Sequence, residues 1–351
     1  MKRLLITGGS GFIGSHTCVV LLKQGYELYV LDSHCNSHPK VIDRVVKITG
    51  DEESSTINKV FLIEGDLRDQ NLLNKLFSDS IYQGKPIEGV IHFAGLKSVQ
   101  ESTANPLLYW DSNVNGSINL LRSMDQFDCR TIVFSSSATI YGASKKSFLP
   151  ETSPINPLNP YGQTKLAVEK LLRDVFKSSP NKWRISNLRY FNPIGAHSSG
   201  EIGEDPLGIP NNLFPFITQV AAGRREKLTI FGKDWPTLDG TCIRDYIHVM
   251  DLAEGHLLAL ECLLAEEPQL MNLNLGTGLG TSVLELVNTF QSVNNLEMPY
   301  EFASRRKGDV PQIIADNSMA LSRLHWNPSR NLEDMCRDGW KWQTLNPKGY
   351  L

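Results

Sequence analysis

The stretch Leu4-Leu5-Ile6-Thr7-Gly8-Gly9-Ser10-Gly11-Phe12-Ile13-Gly14 decides the fold. Leu4–Thr7 is a short apolar run that reads as a strand. Glycines follow at 8, 11 and 14, and a helical pattern runs from Phe12 to Gln24. A strand, a glycine turn and a helix in that order make a cradle for phosphate. Free N–H groups and the helix dipole both favour anionic oxygen at the helix start. Gly8 makes the tight turn, Gly11 lets the backbone approach a pyrophosphate, and Gly14 lets helix and strand pack closely. A second strand, Glu27–Leu31, leads into Asp32, 18 residues after Gly14. A carboxylate there accepts from a ribose 2′-hydroxyl and repels a 2′-phosphate, so the pattern favours NAD over NADP.

The same alternation continues outward. Val60–Glu64, Gly89–Phe93, Thr131–Ser135 and Ile185–Tyr190 read as strands. Pro39–Ile48, Gln70–Ser78, Pro106–Met124 and a segment after Tyr161 read as helices. The strands are mostly continuous apolar runs, which predicts a sheet buried on both faces. The expected fold is α/β, a Rossmann-type doubly wound parallel sheet with a smaller C-terminal α/β domain. After Phe191 the texture turns to loop-rich Gly and Pro spacing. The expected division is therefore 1–190 and 191–351, with a strand at Tyr246–Val249 and a helix at Asp251–Leu264 rejoining the first domain across about 244–264. Asp251 is the expected N-cap of that helix.

Composition narrows the function. The chain has 351 residues, 35 Lys+Arg against 38 Asp+Glu and a net charge of −3, which does not suit a broadly basic nucleic-acid surface. No apolar run reaches the roughly 18 residues of a membrane span. Six scattered cysteines without a CxxC pair fit a reduced, cytoplasmic protein with neither a disulfide framework nor a zinc site. The histidines show no metal-ligand spacing, and no metal is expected.

A second signal is Tyr161-Gly162-Gln163-Thr164-Lys165, opening a helix after Pro160. Residues four apart share a helix face. An ammonium beside a phenol favours the phenolate, so Lys165 is expected to pull Tyr161 below its ordinary value and make it a usable general base. A second YxxxK, Tyr141 to Lys145, has Gly142 inside and Pro150 beyond and reads as a loop. Ser135-Ser136-Ser137 favours the Tyr161 copy. It closes a strand at the edge where a parallel sheet binds ligands, and a hydroxyl there can contact the same reacting oxygen.

TGGSGFIG, SSSATIYG and PYGQTK resemble the extended short-chain dehydrogenase/reductase family. The chain further resembles the UDP-glucose 4-epimerase family through GDLRD at 65–69, HFAGLKSVQES at 92–102, RYFNPIGAH at 189–197, GEDPLGIPNNL at 203–213, RDYIHVMDLA at 244–253 and RRKGDVP at 305–311. The resemblance implies tightly bound NAD held by Gly8, Gly11, Phe12, Ile13, Gly14, Asp32, Asn36, Ser37, Asp66, Leu67, Phe93, Ala94, Gly95, Lys97, Asn113, Ser135, Tyr161, Lys165 and Phe191. It implies contact of Ser137 and Tyr161 with a sugar 4-hydroxyl. Asn192, Asn212, Leu213, Arg244, Tyr246, Arg306 and Asp309 would hold UDP and the sugar, with Ile313 bordering the sugar pocket. The implied reaction interconverts UDP-glucose and UDP-galactose at C4, with Tyr161, Lys165 and Ser137 catalytic. The alternatives are a 4-epimerase for UDP-GlcNAc or another UDP-sugar, a nucleotide-sugar 4,6-dehydratase, and a non-catalytic NAD-binding relative. The dehydratase pattern wants an acidic pair near Ser137-Ala138, where this chain has Thr139. A homodimer through helices near 107–124 and 161–176 is also implied.

One motif imitates the first. Asn274-Leu275-Gly276-Thr277-Gly278 precedes a helix that opens with the capping-box pattern Ser282 to Glu285. It lacks a suitable acidic residue on a following strand, so a second dinucleotide site is not expected.

Overall fold

Leu4 and Ile6 point to one face of the first strand and Leu5 to the other, and all three are fully buried. That period of two is repeated along the neighbouring strands and gives the central sheet two cores. In the computed structural model, which describes residues 1–50, 59–144, 146–208, 210, 212–306 and 308–350, seven strands form the sheet. They are β1 (Arg3–Thr7), β2 (Glu27–Asp32), β3 (Val60–Glu64), β4 (Ile87–His92), β5 (Thr131–Ser137), β6 (Arg184–Tyr190) and β7 (Leu270–Leu275). Their order is β7-β6-β5-β4-β1-β2-β3, and every pairing is parallel.

Helices cover both faces. On one side α1 (Phe12–Lys23), α2 (Lys40–Thr49) and α6 (Val249–Ala265) pack Val19, Val45 and Leu260 with Ile6 and Val30. On the other, α3 (Gln70–Tyr82), α4 (Gly116–Gln126) and α5 (Pro160–Ser178) pack Phe77, Leu120 and Leu172 with Leu5 and Phe134. The chain order reverses at β1, whose neighbours are β2 and β4. That is the switch point where the carboxyl ends of the strands open a ligand crevice.

Four sequence expectations change. The strand that returns to the sheet is Leu270–Leu275. Tyr246–His248 instead pairs with Asn192–Ile194 in a separate ribbon. Helix α6 starts at Val249, and its N-cap is His248, whose ring accepts from Met250 N at 3.0 Å. Asp251 lies inside the first turn, accepts from the Arg330 backbone N–H at 3.0 Å and pairs with the Arg330 guanidinium, because a buried carboxylate needs a cationic partner more than the helix needs a second cap. β3 is an edge strand with Phe61 and Leu62 exposed, so burial on both faces fails there. The expected helix at Pro106–Met124 is interrupted by a π-helical segment, Trp110–Asn115. Lys145 lies outside the described residues.

A third core gathers Phe214, Ile217, Ile230, Leu286, Phe290 and Met335. Three short strands set Arg244 beside Ile313. Ile243–Arg244 pairs with Gln312–Ile313 on one side and with Thr281–Ser282 on the other.

Candidate active site

Helix α1 begins at Gly11 without a side-chain cap and without an acidic residue in its first turn. Its first N–H groups are therefore open to an anionic ligand. Gly8 has φ +70°, and a Cβ there would stand 2.6 Å from Ala94 N. A Cβ on Gly14 would stand 2.4 Å from Gly8 O. The turn thus requires glycine at both positions, which fits a dinucleotide pyrophosphate against bare backbone. Asp32 ends β2 and accepts from Ser10 N (2.9 Å), His34 N (3.0 Å) and Ser37 Oγ (2.9 Å). These bonds fix the carboxylate at the edge of the cleft, where a ribose would meet it.

The cleft over these strand ends is lined by Gly8, Gly11, Phe12, Ile13, Gly14, Asp32, Asn36, Ser37, Asp66, Leu67, Phe93, Ala94, Gly95, Lys97, Ser135, Tyr161 and Lys165. Of the residues proposed for NAD, Asn113 and Phe191 stand outside this lining. Asn113 lies on the π-helical segment directly behind it. Its Oδ1 accepts from Leu96 N (2.8 Å), and its Nδ2 donates to Leu96 O (3.0 Å) and Thr164 Oγ1 (3.1 Å). One amide thus pins the 93–97 loop to helix α5, and the wide turn of the π-helix is what carries it there.

Helix α5 starts at Pro160, with Asn159 as N-cap accepting from Gly162 N at 2.8 Å. Tyr161 is in its first turn, on the cleft wall, and Lys165 is one turn later. The Lys165 ammonium donates to Ser135 O at 2.7 Å and lies 5.0 Å from the Phe134 ring centre. Ser137, the last residue of β5, hydrogen-bonds Tyr161 and receives the Thr139 hydroxyl at 3.0 Å. The electrostatics differ from the expectation. Burial pushes Tyr161 above its ordinary value, and the Ser137 hydrogen bond pulls the other way. Lys165 contributes little here because its ammonium is turned onto Ser135 O, 5.9 Å from the Tyr161 ring centre. Lys165 itself is pushed down to about 8 by burial.

A buried network fixes this helix to the sheet. Glu169, one turn beyond Lys165, accepts from Ser136 Oγ at 2.5 Å and from Arg189 Nε and Nη2 at 3.0 and 2.8 Å. Arg189 also donates to the Tyr141 hydroxyl at 3.0 Å, and that hydroxyl donates to Asn274 Oδ1 at 2.7 Å. Tyr141 is 2% exposed and reaches neither cleft.

A second cavity opens beside the first. Phe191, Asn192, Asn212, Leu213, Arg244, Tyr246, Arg306 and Asp309 line it. Arg244 Nη1 donates to Ile243 O (2.8 Å) and Val310 O (3.0 Å), and its Nη2 lies 3.5 Å from Asp309. Arg306 stacks on Phe231, 4.0 Å from the ring centre. Two held guanidinium groups suit a diphosphate. Ile313 is outside the lining, on the strand residue paired with Arg244.

Ser137 pairs in register with Tyr190, which lines the first cleft, and the next residue, Phe191, lines the second. Glu204 also bridges the two, accepting from Lys97 Nζ (3.1 Å) and Asn212 Nδ2 (3.0 Å).

The sequence reading did not single out Thr139, Glu204 or Tyr190 for these positions. Tyr190 donates to His256 Nε2, and the His256 ring packs at a tilt of 46° against Phe93. Burial holds His256 down to about 4, so it is a neutral acceptor. Thr139 had a local signal in its place beside Ser137. Glu204 and His256 are paired only through the fold.

A family model described as GDP-mannose 4,6 dehydratase matches residues 5–339. The UDP-glucose 4-epimerase of Bacillus subtilis (strain 168) is 50% identical over 347 residues, covering 99% of this chain and 98% of that one. The chain belongs to the UDP-glucose 4-epimerase family. The Yersinia pestis member is 49% identical over 348 residues, covering 99% of both chains. Among solved members, the Stenotrophomonas maltophila epimerase has bound NAD and formylated UDP-arabinopyranose. It superposes with a TM-score of 0.93 at 44% identity, covering 99% of each chain. The Bifidobacterium longum epimerase, in complex with NAD+ and UDP, gives 0.91 at 42% identity, covering 99% of this chain and 100% of that one.

Proposed function

We propose that this chain interconverts UDP-glucose and UDP-galactose by NAD-dependent oxidation and re-reduction at C4. The observation that carries the reading is the adjacency of the two cavities: Tyr161 and Tyr190 line the first, the next residue, Phe191, lines the second, and Tyr190 pairs in register with Ser137. A glycine-cradled dinucleotide cleft lies on one side and an arginine-bearing cavity on the other.

NAD, when bound, supplies the acceptor and later the donor of the hydrogen at sugar C4. The chain does the rest. Tyr161 takes the 4-hydroxyl proton and afterwards returns it. Ser137 hydrogen-bonds the same oxygen, with Thr139 orienting its hydroxyl. Lys165 holds the nicotinamide ribose and, with its charge redirected from Ser135 O, favours the phenolate. Asn192, Asn212, Leu213, Arg244, Tyr246, Arg306 and Asp309 grip UDP. The sugar is held less firmly, so the 4-keto sugar can turn its other face to the same hydride donor. Residues 1–190 with the later return to the sheet serve the cofactor, and most of 191–351 serves the substrate.

Exposed Leu107, Leu108 and Trp110 on the helix beside α5 support pairing of two copies. Six unpaired thiols suit a reducing cytoplasm, where the chain would serve galactose metabolism.

The test is to mix purified protein with UDP-galactose and measure UDP-glucose without adding NAD. Conversion is expected. Failure even with added NAD, alongside turnover of UDP-GlcNAc or a UDP-pentose, would move the substrate assignment.

A further inference from the structure

We infer that Asp245 is a positioning residue that sets the UDP-binding side chains by filling the glycine loop at 276–278 with its own carboxylate. The inference rests on the reading of the arginine-bearing cavity as the UDP site.

The loop Asn274-Leu275-Gly276-Thr277-Gly278 has the form of a phosphate cradle, and it does bind an anion, an internal one. Asp245 Oδ1 accepts from Thr277 N at 2.8 Å and Thr277 Oγ1 at 2.7 Å. Its Oδ2 accepts from Gly278 N at 3.0 Å and Ala315 N at 3.1 Å. Successive backbone N–H groups converging in this way form an anion nest. The carboxylate is fully buried, and four donors occupy its two oxygens. Burial pushes the carboxyl above its ordinary value, and the hydrogen bonds from Thr277, Ala315 and Gly278 pull it back down. Gly276 is required by the approach, since a Cβ there would stand 2.6 Å from Asp245 Oδ2 and 2.7 Å from Ala315 Cβ.

The place of Asp245 in the chain turns this anchor into a device. It separates two short strands that belong to different ribbons. Arg244 pairs in register with Ile313, and Tyr246 pairs with Asn192. The Asp245 carbonyl accepts from Asn192 N at 3.0 Å. One residue therefore ties together the segments that carry Asn192, Arg244, Tyr246 and Ile313. A shift of the anchor moves several proposed UDP contacts at once while leaving Tyr161 and Lys165, on helix α5, in place. The expected signature is on binding and not on chemistry.

Asp245→Asn replaces an acceptor oxygen by an amide N–H₂ that faces N–H donors. It should raise the Kd for UDP and the KM for UDP-galactose by on the order of tenfold. The value of kcat should change much less, and the NAD content of the purified protein should be unchanged. Thr277→Val removes one of the four donors and should move Kd in the same direction by a smaller factor, which keeps the test usable if Asp245→Asn does not fold. The decisive comparison is titration of UDP into Arg244→Ala, Asp245→Asn and the double variant. If Asp245 acts through Arg244 and its neighbours, the double variant loses less affinity than the product of the single losses. An unchanged UDP affinity in Asp245→Asn or, where that protein does not fold, in Thr277→Val would overturn the inference, and so would a fully multiplicative double variant. An unchanged affinity in Arg244→Ala would instead overturn the reading of the cavity.

Discussion

Two tyrosines stand four residues ahead of a lysine in this chain, and the fold treats them oppositely. Tyr161 opens helix α5 on the wall of the dinucleotide cleft, with Ser137 on its hydroxyl. Tyr141 ends a short 3₁₀ turn, Ala138–Tyr141, inside the protein, and its hydroxyl is consumed by Arg189 and Asn274. Burial pushes both phenols up, Tyr141 to about 12, but of the two only Tyr161 lines a cleft. A spacing on its own therefore carries no chemistry. The helix start and the strand end beside it do.

Removing the reactive hydroxyl should give the largest effect. Tyr161→Phe should cut turnover by about 10²–10⁴-fold while UDP affinity, measured by titration, stays near that of the unaltered protein. Normal turnover would erase the distinction between the two tyrosines. Next comes Lys165→Met, expected to lower turnover at neutral pH by roughly an order of magnitude. A cation beside a phenol favours the phenolate, so its removal raises the Tyr161 pKa and moves the rising limb of the pH–rate profile to higher pH. A profile that keeps its midpoint would remove Lys165 from that role. The smallest effect on chemistry belongs to Tyr141→Phe. Turnover should stay within about twofold, while unfolding in urea reports a loss of about 1–3 kcal/mol from the buried partners left behind.

The parts legible in the sequence are those whose physics is local. The glycines at 8, 11 and 14, Asp32 at its strand end and the helix start at Pro160 all state their geometry within a few neighbours. The UDP-side residues were reached through family resemblance, because loops such as 305–311 have no period to read. What stayed hidden depends on partners far along the chain. β7 reads Leu-Met-Asn-Leu-Asn-Leu, and its asparagines obscure an edge strand of the sheet until their partners are known. Asn272 accepts from Asn187 at 2.8 Å, and Asn274 donates to Leu149 O at 2.7 Å. Asp251 was read as a cap because Arg330, 79 residues away, was invisible from its neighbourhood. The second glycine loop carries no local sign of its occupant, because Asp245 lies 32 residues upstream of Thr277.

The most direct test of the reaction tracks the hydrogen on the sugar. UDP-glucose carrying deuterium at C4 is incubated with the protein in ordinary water, and the UDP-galactose formed is examined by mass spectrometry and NMR. Oxidation and re-reduction within one closed site predict that the deuterium remains at C4 of the product. Its replacement by solvent hydrogen would contradict a hydride held within the site.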